Sequence, residues 1–398
     1  MHHELEDREV GRASVPRWGV VQRVKNAVIF HSARAALGIL EHLPVAVTRW
    51  LGAVVGCLGY VLVAGERRKA LESLAIAFPH VGDAARRRIA RACFAGLGRA
   101  AGEVCCMARL DLCRYVEIPP GSRRVIDEAL SLGRGLIWVT AHLGNWELLA
   151  AGLAARGYDV RPVATPSYDP RFTAMIDYWR RRIGVRTLWR GRDDLATGVG
   201  VHGGNPFLEK GVSPGPPSLK TSEIFSSEHR QLAPMNVQLG AEKKLSRSFE
   251  DGVRGRNFSG EKFLPRVRAA SVVSEALRQG EIVGLLIDQD TRTPGAFVPF
   301  FNRPAWTPTG AASLARRTGA PTVTGFISRR AGGGHVIEVE NVSIRSTLDH
   351  HADDVATTAR LTEAIETAIR ARPADWVWMH QRWRTTPDDA IRDETEER

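Results

Sequence analysis

Cysteine is sparse in this chain: there are five in 398 residues, Cys57, Cys93, Cys105, Cys106 and Cys113. None falls in a C-x-x-C pair, and two adjacent thiols are poorly placed to share a zinc. A disulfide scaffold and a structural zinc site are therefore excluded, and reduced, buried thiols are expected. Lysine is also scarce, with 7 against 48 arginines. A high-GC genome accounts for that bias, so it carries no functional weight. A mean hydropathy of -0.19 excludes a polytopic membrane protein. The N-terminus carries Glu4, Glu6, Asp7 and Glu9, where a secretory signal would be basic and then apolar. The sequence also lacks a P-loop, an H-E-x-x-H zinc motif and a G-x-S-x-G nucleophile elbow. The single G-x-G-x-x-G match, Gly198 to Gly203, follows a polar stretch and precedes Asn205-Pro206. That fingerprint needs a strand before it and a helix after it, so the match is a chance one.

What is present is an ordinary globular composition, 43% hydrophobic and 25% charged, with a net charge of +11. The positive excess suits an anionic partner: nucleic acid, an acidic carrier protein, or phosphorylated lipid. No helix-turn-helix or RNA-binding signature supports nucleic acid as the partner. The most apolar stretch is Leu43 to Ala64, with Arg49 as its only charge. Its uncharged core, Trp50 to Gly65, is 16 residues long, short of the roughly 20 that cross a bilayer. Arg49 lies near one end, where its stem could snorkel to an interface. Glu66-Arg67-Arg68-Lys69 follows and favours the cytoplasmic side. The stretch fits a single span, a deeply set interfacial helix, or a buried helix of a soluble domain. Asn26 to Leu40 is a second amphipathic candidate for lying on a membrane.

From Gly121 onward, helical and strand patterns alternate. Helices are expected over Ser122–Leu132, Asn145–Ala155, Arg171–Arg182, Val267–Arg278, Thr309–Arg317 and Ala352–Ala371. Strands are expected over Gly135–Ala141, Val160–Ala164, Ile282–Ile287, Pro321–Ser328 and His335–Ile344. Such alternation predicts an α/β fold with a mostly parallel central sheet flanked by helices. Residues 197–266 break the pattern. They are rich in Gly, Pro, Ser and Asn, hold five of the seven lysines, and show no sustained period. They read as a poorly ordered insertion. The predicted organisation is a tail (1–25), membrane-associating helices (26–69), a catalytic domain (70–196 and 267–385), the insertion (197–266) and a charged tail (386–398).

The segment that carries chemistry is Gly135-Leu-Ile-Trp-Val-Thr-Ala-His142-Leu143-Gly144-Asn145-Trp146-Glu147. His142 sits where an apolar strand leaves the sheet, the place where open α/β sheets build ligand sites. Gly144 allows a sharp turn, Asn145 is a helix N-cap, and Glu147 lies in the first helical turn. On one continuous helix His142 and Glu147 would point about 140° apart; the intervening turn lets them converge. The pair suits acyl transfer to an alcohol. A neutral imidazole takes the hydroxyl proton as the C–O bond forms, and a carboxylate behind it fixes the tautomer. A thioester donor needs no enzyme nucleophile. The developing oxyanion needs donors, either backbone N–H groups at the new helix start or a nearby arginine.

The wording HLGNWE resembles the H-x4-D/E motif of lysophospholipid-type acyltransferases, and most closely the late acyltransferases of lipid A biosynthesis. Three further blocks follow that family's order. Leu71 to Pro79 resembles the stretch after its membrane anchor, with Ser73 where Asn is usual. Ile287 to Asp290, Phe297 to Phe301 and Thr307 to Ala315 resemble its central block, and Pro373 to Trp383 resembles its C-terminal signature. In relatives the arginine region leads within a few residues into the helix beginning near Ala269, whereas here about 70 residues intervene.

The resemblance implies an acyl carrier protein thioester as donor and a hydroxyl of a phosphorylated glycolipid, a lipid A precursor, as acceptor. It also implies a location at the cytoplasmic face of the bacterial inner membrane, with no cofactor, metal or nucleic acid. The alternatives are another glycolipid acceptor, such as a phosphatidylinositol mannoside, or a non-catalytic lipid- or carrier-binding protein. By position, His142 is expected to be the base and Glu147 its partner. Gly144, Asn145, Arg181, Arg190, Asp288 and Asp290 are expected at the substrate. The arginines would contact phosphate or oxyanion, and the two aspartates would shape the acceptor site. Trp376 and Trp378 are expected to pack in the core.

Overall fold

In the computed structural model, residues 19–167, 169–190 and 266–388 are described. All of the expected 197–266 insertion but its last residue, and most of both expected tails, lie outside them. Four N-terminal helices come first: α1 (Val20–Leu40), α2 (Val45–Leu62), α3 (Ala64–Ala77) and α4 (Asp83–Cys106). The α/β part follows in order: α5 (Leu112–Tyr115), β1 (Val116–Glu117), α6 (Pro120–Ser131), β2 (Leu136–Thr140), α7 (Trp146–Ala154), β3 (Val160–Ala164), α8 (Pro170–Arg182) and β4 (Leu188–Trp189). It resumes with α9 (Arg266–Arg278), β5 (Ile282–Leu286), β6 (Gly295–Phe300), β7 (Arg303–Pro308), α10 (Gly310–Thr318), β8 (Thr322–Arg329), β9 (His335–Asn341) and α11 (His350–Ala371).

Seven strands form one sheet in the order β1-β9-β8-β2-β5-β3-β4. Every pairing is parallel except β8 with β9, so the expected mostly parallel sheet is present. The central strand β2 is buried along its whole length, as a strand covered on both faces must be. Its side chains alternate between two cores: Ile137 and Val139 pack on one side, Leu136 and Trp138 on the other. Because β5 enters the sheet between β2 and β3, the chain leaves β2 beside a strand that arrives more than a hundred residues later. That topology makes the C-terminal ends of β2 and β5 the place where open α/β sheets build ligand sites. The separate hairpin β6–β7 turns through Phe301 and Asn302, both at positive φ (52° and 57°).

Helix α2 is long and apolar enough to cross a membrane by length and composition, with mean hydropathy 1.7 over 18 residues and 11% of them buried. It leaves Trp50, Val54, Val55, Leu58, Val61 and Leu62 exposed. A buried soluble helix is thus not what this stretch forms. Helix α1 begins at Val20, inside the expected tail, and exposes Val21, Val24, Val28 and Ile39. Arg49 does not reach outward as expected. Its Nε lies 3.5 Å from the buried Glu103 carboxylate on α4.

Glycines set how closely α2 and α4 pack. A Cβ on Gly98 would stand 1.9 Å from the Gly52 carbonyl oxygen, and one on Gly102 2.2 Å from the Thr48 oxygen. Only hydrogen at these positions lets the two backbones touch. Overpacking a helix contact costs about 1–3 kcal/mol, whereas Gly65 has no neighbour within 4 Å and sits in a helix. Gly98→Ala should therefore lower the unfolding temperature in detergent, while Gly65→Ala should leave it unchanged or raise it. Equal effects of the two substitutions would refute the packing argument.

Candidate active site at the ends of β2 and β5

The register of β2 and β5 pairs Thr140 with Leu286. Two residues beyond that pair, His142 and Asp288 meet. The His142 Nδ1 lies 2.9 Å from Asp288 Oδ1, and the His142 backbone N–H donates to Oδ2 at 2.8 Å. The Trp376 indole N–H donates to the same Oδ2 at 2.8 Å. Asp288 is fully buried, and the imidazole keeps 21% of its side chain exposed. Nδ1 therefore carries the proton, which leaves the Nε2 lone pair on the outer edge. Burial is the largest influence on both groups and favours their neutral forms, but their mutual charge and hydrogen bonds prevail. His142 is shifted above its ordinary value, with Glu147 adding to the effect. Asp288 is held well below the carboxylate range.

The partner of the imidazole is therefore Asp288 and not Glu147, the expected one. Glu147 instead forms a two-pronged pair with Arg180, at 2.6 and 2.9 Å. Arg180 also donates to Thr187 Oγ1 at 3.1 Å. Glu147 lies in the first turn of α7, beyond the bend at Gly144, whereas Asp288 lies two residues past the last paired position of the neighbouring strand.

The other expected residues divide clearly. Gly144 adopts φ +66°, and a Cβ there would stand 2.3 Å from the Ile327 oxygen. Its N–H donates to the Asp375 carbonyl at 2.9 Å. Gly144 thus shapes the turn from inside. Asn145 is buried and caps α7 by accepting from the Leu148 N–H, while its amide donates to Glu103 at 3.0 Å. Asp290 is occupied by the C-terminal segment, accepting from the Thr385 N–H at 2.7 Å and from Arg384. Arg181 pairs with Asp177 one helical turn away at 2.6 Å. The basic side chain beside the site is its neighbour Arg180. Arg190 is exposed just after β4. Trp376 and Trp378 are both fully buried, as expected of core residues, and Trp376 also supports Asp288.

The sequence reading did not single out Gln289, His380 or Glu103. The Gln289 amide nitrogen lies 2.9 Å from His380 Nε2 and 3.4 Å from His142 Nε2. The two imidazoles meet edge to face at 5.0 Å, and Trp146 packs against His142 at 5.1 Å. Behind the turn, Glu103 is completely buried. It receives Tyr115 Oη at 2.9 Å, His335 Nε2 at 3.1 Å, both terminal nitrogens of Arg329, and the Asn145 amide. Burial pushes its pKa up, but the hydrogen bonds and charges of His335 and Arg329 hold it well below the carboxylate range.

A buried carboxylate holding a partly exposed histidine at the strand ends of a mostly parallel α/β sheet stands where such sheets build ligand sites. The model of the family described as bacterial lipid A biosynthesis acyltransferase matches residues 22–195 and 243–385, and the chain belongs to that family. It is 34% identical to a phosphatidylinositol mannoside acyltransferase of Mycobacterium tuberculosis over 116 residues, 28% of this chain and 34% of that protein. It is 31% identical to the lipid A biosynthesis lauroyltransferase of Escherichia coli over 137 residues, 34% of this chain and 44% of that protein. The matched stretches thus span less than half the length of either relative.

The pair makes opposite contributions to stability along the pH axis. His142, with its pKa raised, contributes stability that is complete below its unfolded value of about 6.5 and lost as pH rises through the folded value. Asp288, with its pKa lowered, contributes stability that is present above about 3.9 and lost as pH falls. Asp288→Asn should lower the His142 pKa in an NMR titration of the ring, and Glu147→Gln should lower it less. A larger shift in the Glu147 variant would overturn the assignment of Asp288 as partner.

Proposed function

We propose that the protein transfers a fatty acyl chain from an acyl carrier protein thioester to a hydroxyl of a lipid A precursor, at the cytoplasmic face of the bacterial inner membrane. The observation that carries this reading is the His142–Asp288 pair, with the imidazole Nε2 turned outward. An alcohol is a weak nucleophile, and a neutral imidazole can remove its proton as it attacks the thioester carbon. Asp288 holds the required tautomer and stabilises the imidazolium that forms. Collapse of the tetrahedral intermediate expels the thiolate, which takes the proton back from His142. Glu147 and Arg180 form a charged pair beside the base. The exposed apolar faces of α1 and α2 suit a lipid surface, and the net charge of +11 suits an acidic carrier and a phosphorylated acceptor.

A second reading, with a phosphatidylinositol mannoside as acceptor, is favoured by the similarity to the mycobacterial enzyme. Purified protein in detergent, given carrier thioesters of several chain lengths and each acceptor in turn, would separate the two by mass spectrometry of the product. Acyl transfer to the tetra-acylated lipid A precursor is expected. His142→Ala should reduce it about 10²–10⁴-fold, the range for loss of a general base, while carrier binding persists. Transfer only to the mannoside would establish the second reading. Binding without transfer to either acceptor would make this a non-catalytic lipid- or carrier-binding protein.

A further inference from the structure

Acyl transfer makes the carbonyl oxygen of the thioester negative, and a preorganised donor must meet it there. The backbone of the His142 turn has already committed much of its donor capacity. The His142 N–H goes to Asp288, the Leu143 N–H to the Ala141 oxygen at 2.7 Å, the Gly144 N–H to the Asp375 oxygen, and the Leu148 N–H to Asn145. Arg180 is closed on Glu147 and Thr187. The side chain placed differently is Gln289, which follows Asp288 in the chain. Asp288 grips one edge of the imidazole, and the Gln289 amide stands at the other.

We infer that Gln289 is the oxyanion donor of the transfer step, and that His380 is the positioning residue that aims its amide. This inference rests on the acyl-transfer reading above. The amide has two N–H bonds. One reaches His380 Nε2 at 2.9 Å, and the other faces His142 Nε2 at the longer distance of 3.4 Å. That second bond is weak in the resting site. When the acceptor hydroxyl gives its proton to His142 Nε2, that nitrogen ceases to accept, and the second N–H loses its partner. At the same moment the C–O bond forms, the carbonyl π pair moves onto oxygen, and an anion appears within reach of the amide. The hydrogen bond is thus gained as the barrier is crossed, which is where binding accelerates a reaction. On collapse the pair returns to carbon, the C–S bond breaks, and the thiolate leaves with the proton from His142.

His380 suits the positioning role because it must accept from the amide, and an imidazolium has no lone pair to do so. Burial and the neighbouring His142 both push its pKa below the ordinary value, against the opposing charges of Asp288 and Glu66. The Ser73 hydroxyl donates to the His380 carbonyl at 3.4 Å.

The test compares wild type with Gln289→Ala, the near-isosteric Gln289→Glu, His380→Ala and His380→Gln, and the Gln289→Ala/His380→Ala double variant, with His142→Ala in parallel. Steady-state transfer from a carrier thioester and its slow hydrolysis without acceptor are both measured, and thermal melts report folding. Loss of an oxyanion donor costs about 10²–10³-fold in kcat. We expect that loss in both Gln289 variants, with the KM for the thioester changed by less than about threefold. His380→Ala should lose less, His380→Gln should recover part of it through its carbonyl oxygen, and the double variant should be no worse than Gln289→Ala alone. If Gln289→Ala folds poorly, Gln289→Glu makes the same comparison. Wild-type kcat in a folded Gln289 variant, with His142→Ala inactive, would overturn this inference and leave the proposed function standing. No turnover of any thioester by wild type would overturn both.

Discussion

The site depends on one buried carboxylate. Asp288 has given up its water, and an unpaired charge in that position would cost several kcal/mol. It persists because three donors from two parts of the chain converge on it: the His142 backbone, the His142 ring and the Trp376 indole. The convergence follows from the Thr140–Leu286 register, since a slip of one residue would send Asp288 to the opposite face. The C-terminal segment has the same dependence. Val377 donates to the His142 carbonyl, and Gly144 donates to that of Asp375, so the turn bearing His142 is clasped by the residues on either side of Trp376, which supports Asp288.

A second buried charge stabilises the turn from behind. Glu103 collects partners from α4's neighbours, from the sheet and from the cap of α7, so Asn145 ties the start of that helix to a buried anion. One side of the turn is set by Asp288 and the other by Glu103, and Gly144 lies between them where no side chain fits. The imidazole is left with little freedom apart from its outward nitrogen.

Much of the sheet was legible because its strands are short apolar runs bounded by turn signals. Val160–Ala164 was read with the boundaries the fold shows, and Ile282–Ile287 and His335–Ile344 within a few residues. The histidine was legible for the same reason, since it ends a fully apolar strand. Its partner was not, because the pairing joins residues 142 and 288 through a strand order that no local pattern encodes. The nearer acid, Glu147, was the natural choice along the chain, but its helix carries it to Arg180. The β6–β7 hairpin had no Asn-Gly or Asp-Gly signal. Its Phe301-Asn302 turn is held from outside, by the Glu366 carboxylate on the Phe301 N–H and by Arg370 over the ring. Arg49 was misread because a lone charge in an apolar helix resembles an interfacial anchor until its buried acid is seen.

The glycine contact between α2 and α4 has a mechanical consequence. Where those glycines meet, no side chain separates the two backbones, and α4 carries Glu103, which reaches Asn145, three residues after His142. A surface that seated the apolar flank of α2 would thereby hold the turn at Asn145 at a set height, as a bracket holds a tool.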